Sequence, residues 1–266
     1  MPMTSPAPAP DFADIAWRGR TLRHEIAWVG LPDSRYPTVV FLHEGLGSVA
    51  LWKDFPERFC RAHGLRGLVF SRYGYGRSTP RPLDEPLPFD FMHQQAWEVL
   101  PALLAQLGIE RPWLFGHSDG ASIALLHAAR APVSGVIVMA PHILVEEIGV
   151  ASIRQARDAY THGPLRERLA RHHDDVDSAF RGWNDVWLDP AFRSWDIRAE
   201  VARITAPLLA IQGEGDEYGT LEQVHGIARL LPQAEVLVLP DCGHSPHRDQ
   251  TAHIIDEAGR FLLAHA

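Results

Sequence analysis

Cysteine is nearly absent from this chain: there are two in 266 residues, Cys60 and Cys242, far apart in sequence. That excludes a scaffold built on disulfides and makes a reduced, cytoplasmic setting the simpler expectation. No apolar run is long enough to span a bilayer, so no membrane partner is expected. The opening Met1–Pro10 lacks the basic start and continuous apolar stretch of a signal peptide. Its proline, alanine and serine read as a disordered lead-in, and residues 1–19 are assigned to that lead-in and the start of the first strand region. Positive charge is in deficit, with 25 Lys and Arg against 33 Asp and Glu and a formal net charge of −8. A field of that sign repels polyanions, so nucleic acid is not an expected partner. There is no internal repeat.

What is present is ordinary for a globular enzyme: 46% hydrophobic and 22% charged residues, enough for one large core. Short runs rich in Val, Ile and Leu recur at residues 38–43, 67–71, 112–115, 135–140, 207–212 and 235–239. They are nearly continuous in apolar character, as expected of parallel strands covered by helices on both faces. Residues 20–29 alternate and predict an antiparallel edge. Helical stretches are expected at 49–63, 93–107, 121–129, 221–231 and 251–263. The regular succession of strand and helix predicts an α/β fold with a doubly wound, mostly parallel sheet. From 142 to 203 no strand is expected, and Phe180, Trp183, Trp187, Phe192 and Trp195 lie among many charges. A helical lid inserted between two core strands fits this better than a long structureless loop. The expected division is therefore a core of 20–141 and 204–266 with a lid of 142–203.

The strongest motif is Gly116-His117-Ser118-Asp119-Gly120, a G-x-S-x-G string between an apolar strand and a small-residue helix. Glycines two before and two after the serine let strand and helix approach. The turn lifts the hydroxyl above the sheet edge and aims the Asp119 N–H toward a developing oxyanion. The competing reading is a serine that merely caps the helix. A hydroxyl nucleophile needs a base. Among fifteen histidines, His244 follows the last expected strand at the carboxyl edge where Ser118 also lies; His43 is its main competitor, with His117, His142 and His247 nearby. The acid comes from the loop after residues 207–212, where Asp216 is chosen over Glu214, Glu217 and Asp241 to hold the histidine tautomer. A second oxyanion donor is expected from Gly45 or Leu46. His172-His173-Asp174-Asp175 has the residue types of a metal tract, but its charged surroundings favour a solvated helix end.

In the order Ser118, Asp216, His244 the chain resembles the α/β-hydrolase family of serine hydrolases, from about Arg20 to the C-terminus. His43-Glu44-Gly45-Leu46-Gly47 is similar to the H-G-G-x-G oxyanion loop of proline iminopeptidase relatives. Residues 71–78, SRYGYGRS, resemble the D-x-R-G-x-G-x-S loop that follows the next strand. Three positions depart from the pattern. Glu44 stands where glycine is common, Ser71 where aspartate is usual, and Asp119 where methionine, glutamine or an aromatic is more frequent. The G-x-S-D-G elbow resembles that of valacyclovir-hydrolase-like esterases, which implies recognition of a substrate ammonium group by Asp119. A local hydrogen bond at the helix start is the alternative.

These readings imply acyl transfer to water without metal or organic cofactor. The expected substrate is a small to medium, partly apolar carboxylic ester, lactone or thioester, contacted by Glu44, His117, Trp183 and Trp187. A nucleophilic serine argues against dehalogenase and epoxide hydrolase chemistry. Carbon–carbon bond hydrolysis, cofactor-free peroxidation and a slow ligand sensor stay open, and a monomer or homodimer is expected.

Overall fold

The computed structural model describes residues 11–266. Eight strands form one sheet: β1 (Asp11–Trp17), β2 (Arg20–Gly30), β3 (Val39–Leu42), β4 (Arg66–Phe70), β5 (Trp113–His117), β6 (Gly135–Met139), β7 (Leu208–Gly213) and β8 (Glu235–Leu239). Their spatial order is β1-β2-β4-β3-β5-β6-β7-β8. The first two strands are antiparallel additions, and the other six run parallel.

The parallel strands are apolar along their whole length because alternate residues enter two different cores. On β3, Val40 and Leu42 join Leu68, Leu114 and Val138 on one face. Val39 and Phe41 join Val69, Phe115 and Ile137 on the other. A strand buried on both faces has no reason to alternate in polarity.

The helices are α1 (Phe55–His63), α2 (Phe91–Gln94), α3 (Leu100–Gln106), α4 (Asp119–Ala128), α5 (Glu147–His162), α6 (Leu165–Leu169), α7 (Val176–Leu188), α8 (Arg198–Val201), α9 (Glu222–Leu230), α10 (Pro246–Asp249) and α11 (Thr251–His265). Helices α5 to α8 all lie between β6 and β7. Among the described residues, no helix is long and apolar enough to cross a membrane.

Several boundaries differ from the sequence expectation. Residues 1–10 of the expected lead-in lie outside the described residues, but Asp11–Trp17 is a strand. Its Ala13 and Ile15 are buried on alternate positions, and Arg18-Gly19, both at positive φ, make the two-residue turn into β2. The helix expected over 49–63 is a 3₁₀ turn (Ala50–Trp52) and then α1, interrupted at Lys53, whose φ is 54°. Between α2 and α3 the backbone widens into a π turn over Gln95–Val99. Pro101, one residue into α3, has no N–H to donate back into that turn.

In the order β4-β3-β5 the chain leaves β3 toward one side of the sheet and reaches β5 on the other. The carboxyl ends of β3 and β5 therefore meet at a topological switch point, the place where open α/β sheets bind their ligands.

Candidate active site

Ser118 follows β5 directly and has φ 53° and ψ −121°, a conformation that L-residues rarely adopt. Its two glycines make that turn sterically possible. A Cβ on Gly116 would lie 2.5 Å from the Ala121 Cα, and one on Gly120 would lie 2.1 Å from the Leu42 carbonyl oxygen. The serine is thus pinned between the end of β3 and the start of α4.

Two loops at the carboxyl edge converge on it. His244, after β8, places Nε2 3.0 Å from Ser118 Oγ. Its Nδ1 is 2.8 Å from Asp216 Oδ1, in the loop after β7. Asp216 is held by the Tyr218 N–H at 2.8 Å and by Gln212 Nε2 at 3.1 Å. Burial pushes its carboxyl pKa up, but the hydrogen bond and charge interaction with His244 and the Tyr218 N–H together leave it below the ordinary value. An ionised carboxylate only accepts, so the His244 proton sits on Nδ1 and Nε2 is free to accept from the serine hydroxyl. Tyr218 also packs its ring 4.5 Å from His244.

Of the other candidates, His43, Glu217 and His117 are bonded to backbone groups, while among the described residues both ring nitrogens of the buried His247 have no hydrogen-bond partner and His142 packs its ring 6.0 Å from that of His244. The His43 Nδ1–H donates to the Glu44 carbonyl oxygen and its Nε2 accepts from the Arg72 N–H. Glu217 Oε2 accepts from the His244 backbone N–H at 3.3 Å. His117 is 1% exposed, and its Nε2 lies 2.7 Å from the His244 carbonyl oxygen, beneath the imidazole it supports. Glu44 faces His117 Nδ1 at 3.6 Å and Arg248 at 3.3 Å. Burial pushes its carboxyl pKa up, but the charge interactions with His117, Arg248 and His43 hold it well below the ordinary value.

Asp119 makes no local bond at the helix start. Its Oδ1 accepts from Trp187 Nε1, on α7, at 3.2 Å, and its Oδ2 is buried without a partner among the described residues. Burial is the main reason its carboxyl is pushed up to about 6, against the lowering influence of Arg72 and the Trp187 bond.

A pocket of about 240 Å³ gathers these groups. Gly45, Leu46, Ser118, Asp119, His142, Trp183, Trp187 and His244 line it. A wider groove of about 440 Å³, lined by Trp17, Tyr73, Leu87 and Phe91, contains none of Ser118, Asp216 and His244. Among the described residues, the backbone N–H groups of Gly45, Leu46 and Asp119 have no acceptor in the protein. The Glu44–Gly47 turn is closed by the Gly47 N–H on the Glu44 carbonyl oxygen at 3.0 Å. Arg72 braces it by donating to the carbonyl oxygens of both His43 and Glu44.

Sequence reasoning passed over Arg72, Gln212, Tyr218 and Arg248. Their contacts with the site depend on how distant loops pack together, and although Arg72 lies within residues 71–78, nothing in that motif marks it as a partner of the His43 and Glu44 carbonyls. It also expected a solvated helix end at residues 172–175. His173 is instead buried, sandwiched between the loops after β3 and β4.

Residues 39–255 match the model of the alpha/beta hydrolase family. Among curated proteins, an sn-1-specific diacylglycerol lipase of Mus musculus is 24% identical over 259 residues, covering 86% of this chain and 82% of its own length. A 2-succinyl-6-hydroxy-2,4-cyclohexadiene-1-carboxylate synthase of Salmonella typhimurium is 24% identical over 258 residues, covering 85% of this chain and 94% of its own length. The solved proline iminopeptidase of Mycobacterium smegmatis superposes with a TM-score of 0.77 at 17% identity, over 96% of this chain and 98% of that one.

Proposed function

The chain belongs to the alpha/beta hydrolase family, and from that premise we propose that it is a serine hydrolase acting through an acyl-enzyme on Ser118. The observation that carries the reading is the continuous line from Ser118 Oγ to His244 Nε2 at 3.0 Å and from His244 Nδ1 to Asp216 at 2.8 Å. It starts on a serine held at positive φ in a pocket. Oγ attacks the substrate carbonyl while His244 takes its proton, and Asp216 stabilises the imidazolium. The oxyanion is received by the N–H of Asp119 and by those of Gly45 and Leu46. The imidazolium then protonates the leaving group, and a water activated by the same histidine releases the acid.

The substrate we assign is a small to medium, partly apolar carboxylic ester, lactone or thioester. The modest volume and the Trp183 and Trp187 walls support that choice. A lipase among the relatives is in keeping with an ester, although the synthase at similar identity shows that names alone do not select a reaction. We read α5 to α8 as a lid, because α7 brings both tryptophans onto the pocket.

The test is a burst assay with p-nitrophenyl esters of graded acyl length beside lactones and thioesters. Ser118→Ala is expected to lower turnover by roughly 10⁴ or more while leaving the fold intact. Near-native esterase activity in that variant would remove Ser118 from the reaction.

A further inference from the structure

His173 lies in the turn between α6 and α7 and is 5% exposed. Both of its ring nitrogens are bound to backbone. The Gly76 N–H, in the loop after β4, donates to Nδ1 at 2.9 Å. Because Nδ1 accepts, the proton of the neutral ring is on Nε2, and that N–H donates to the Leu46 carbonyl oxygen at 3.0 Å. The chain beside it is tied down as well, the Asp174 N–H donating to the Gly76 carbonyl oxygen at 2.9 Å.

Leu46 is in the turn that carries two of the free N–H groups. Two neighbouring carbonyls, those of His43 and Glu44, are held from the sheet and its loops. Arg72 takes that of His43, while Arg72, the His43 ring and the Gly47 N–H take that of Glu44. The Leu46 carbonyl is held from the helical insertion, by His173. On the other side of the same turn, the Trp183 indole rests against Gly45, so closely that a Cβ there would be 2.2 Å from Nε1. The insertion therefore grips the turn at two successive residues.

We propose that His173 is a positioning residue for the oxyanion hole, and that its Nε2–H bond to the Leu46 carbonyl lets the seated helical insertion set the Gly45 and Leu46 N–H groups. This rests on the reading of Ser118 as nucleophile. Oxyanion donors act only when held at about 2.7–3.1 Å from the developing charge, so a turn released at Leu46 loses rate before it loses substrate binding.

The two ring bonds can be removed separately. Asn at 173 places an amide oxygen near the Nδ1 position and keeps the Gly76 bond, but nothing reaches Leu46. Gln places an amide nitrogen near the Nε2 position and keeps the Leu46 bond, but leaves the Gly76 N–H unpaired. Each variant gives up one backbone bond, so a purely structural role predicts similar losses of melting temperature and of activity. The proposal predicts a split. His173→Asn loses kcat about tenfold or more with KM nearly unchanged, and binds a trifluoromethyl ketone transition-state analogue correspondingly less well. His173→Gln keeps kcat within about threefold. Equal loss of kcat in the two variants, in step with their melting temperatures, would overturn the positioning role. Ser118→Ala is run beside them. If it still turns over, the nucleophile reading falls and this proposal falls with it; if it is inactive and the split is absent, only the proposal falls.

Discussion

At the residue scale, Gly120 shows how little freedom the elbow has. The atom a new Cβ would meet, the Leu42 carbonyl oxygen, belongs to β3 and cannot rotate aside. Gly120→Ala must push α4 away from the strand, carrying Ser118 and the Asp119 N–H with it. We expect at least a 10²-fold loss of kcat, the scale of one lost oxyanion donor, and a lowered melting temperature. Steady-state kinetics beside a thermal melt checks both; an alanine variant of native activity would mean that the elbow tolerates displacement. Asp216 works differently, through charge. Asp216→Asn removes the counter-charge of the imidazolium but keeps an oxygen for the Tyr218 N–H, so its loss of kcat is expected to be roughly a hundredfold milder than that of Ser118→Ala.

At the scale of the element, α7 is the piece whose consequences the sequence conceals. Its apolar face supplies Trp183 to Gly45 and Trp187 to Asp119. Helical character and aromatic content were legible from residues 142–203, because both are local properties. Which indole meets which loop was not, because that depends on how the helices dock. The Trp187 bond makes a prediction with a sign. Burial and its neighbours set the Asp119 carboxyl at about 6, so at pH 8 it is charged and Trp187→Phe removes a charge-assisted hydrogen bond, costing about 1.5–3 kcal/mol. At pH 5 the carboxyl is neutral and the cost shrinks toward ~1 kcal/mol. Denaturant titrations at the two pH values should show that narrowing, and an equal cost at both would mean that Asp119 is not titrating between them.

At the scale of the whole molecule, histidine dominates the response to acid. His24, His43, His93, His127, His142, His173 and His247 all have lowered pKa values, in each case chiefly because burial disfavours the charged ring. For His173 the value is about 4 and for His142 about 3. An unfolded histidine titrates near 6.5, so below that pH the unfolded chain binds more protons than the native one and stability falls as pH drops. Asp119 acts in the opposite sense, since a carboxyl raised to about 6 loses stability as pH rises between the unfolded value and 6. One such group against seven histidines leaves the sum in favour of acid destabilisation. The melting temperature should fall continuously from pH 7.5 to 5, and a flat or rising profile would contradict the burial of these rings.

The sequence by itself determined the parallel sheet, the helical insertion and the serine elbow. Each rests on neighbours along the chain: uniform apolar runs, aromatic helices without strands, and glycines two residues on either side of Ser118. Only the tertiary structure decided the polar contacts. The partner of Ser118 lies 126 residues away and that of Leu46 lies 127 away, so fifteen histidines of one type become distinct only once packing buries seven of them and seats His244 against Ser118 and His173 against Leu46. A hydrogen bond needs ångström placement of both groups, whereas an apolar face needs only the correct side, and periodicity specifies sides.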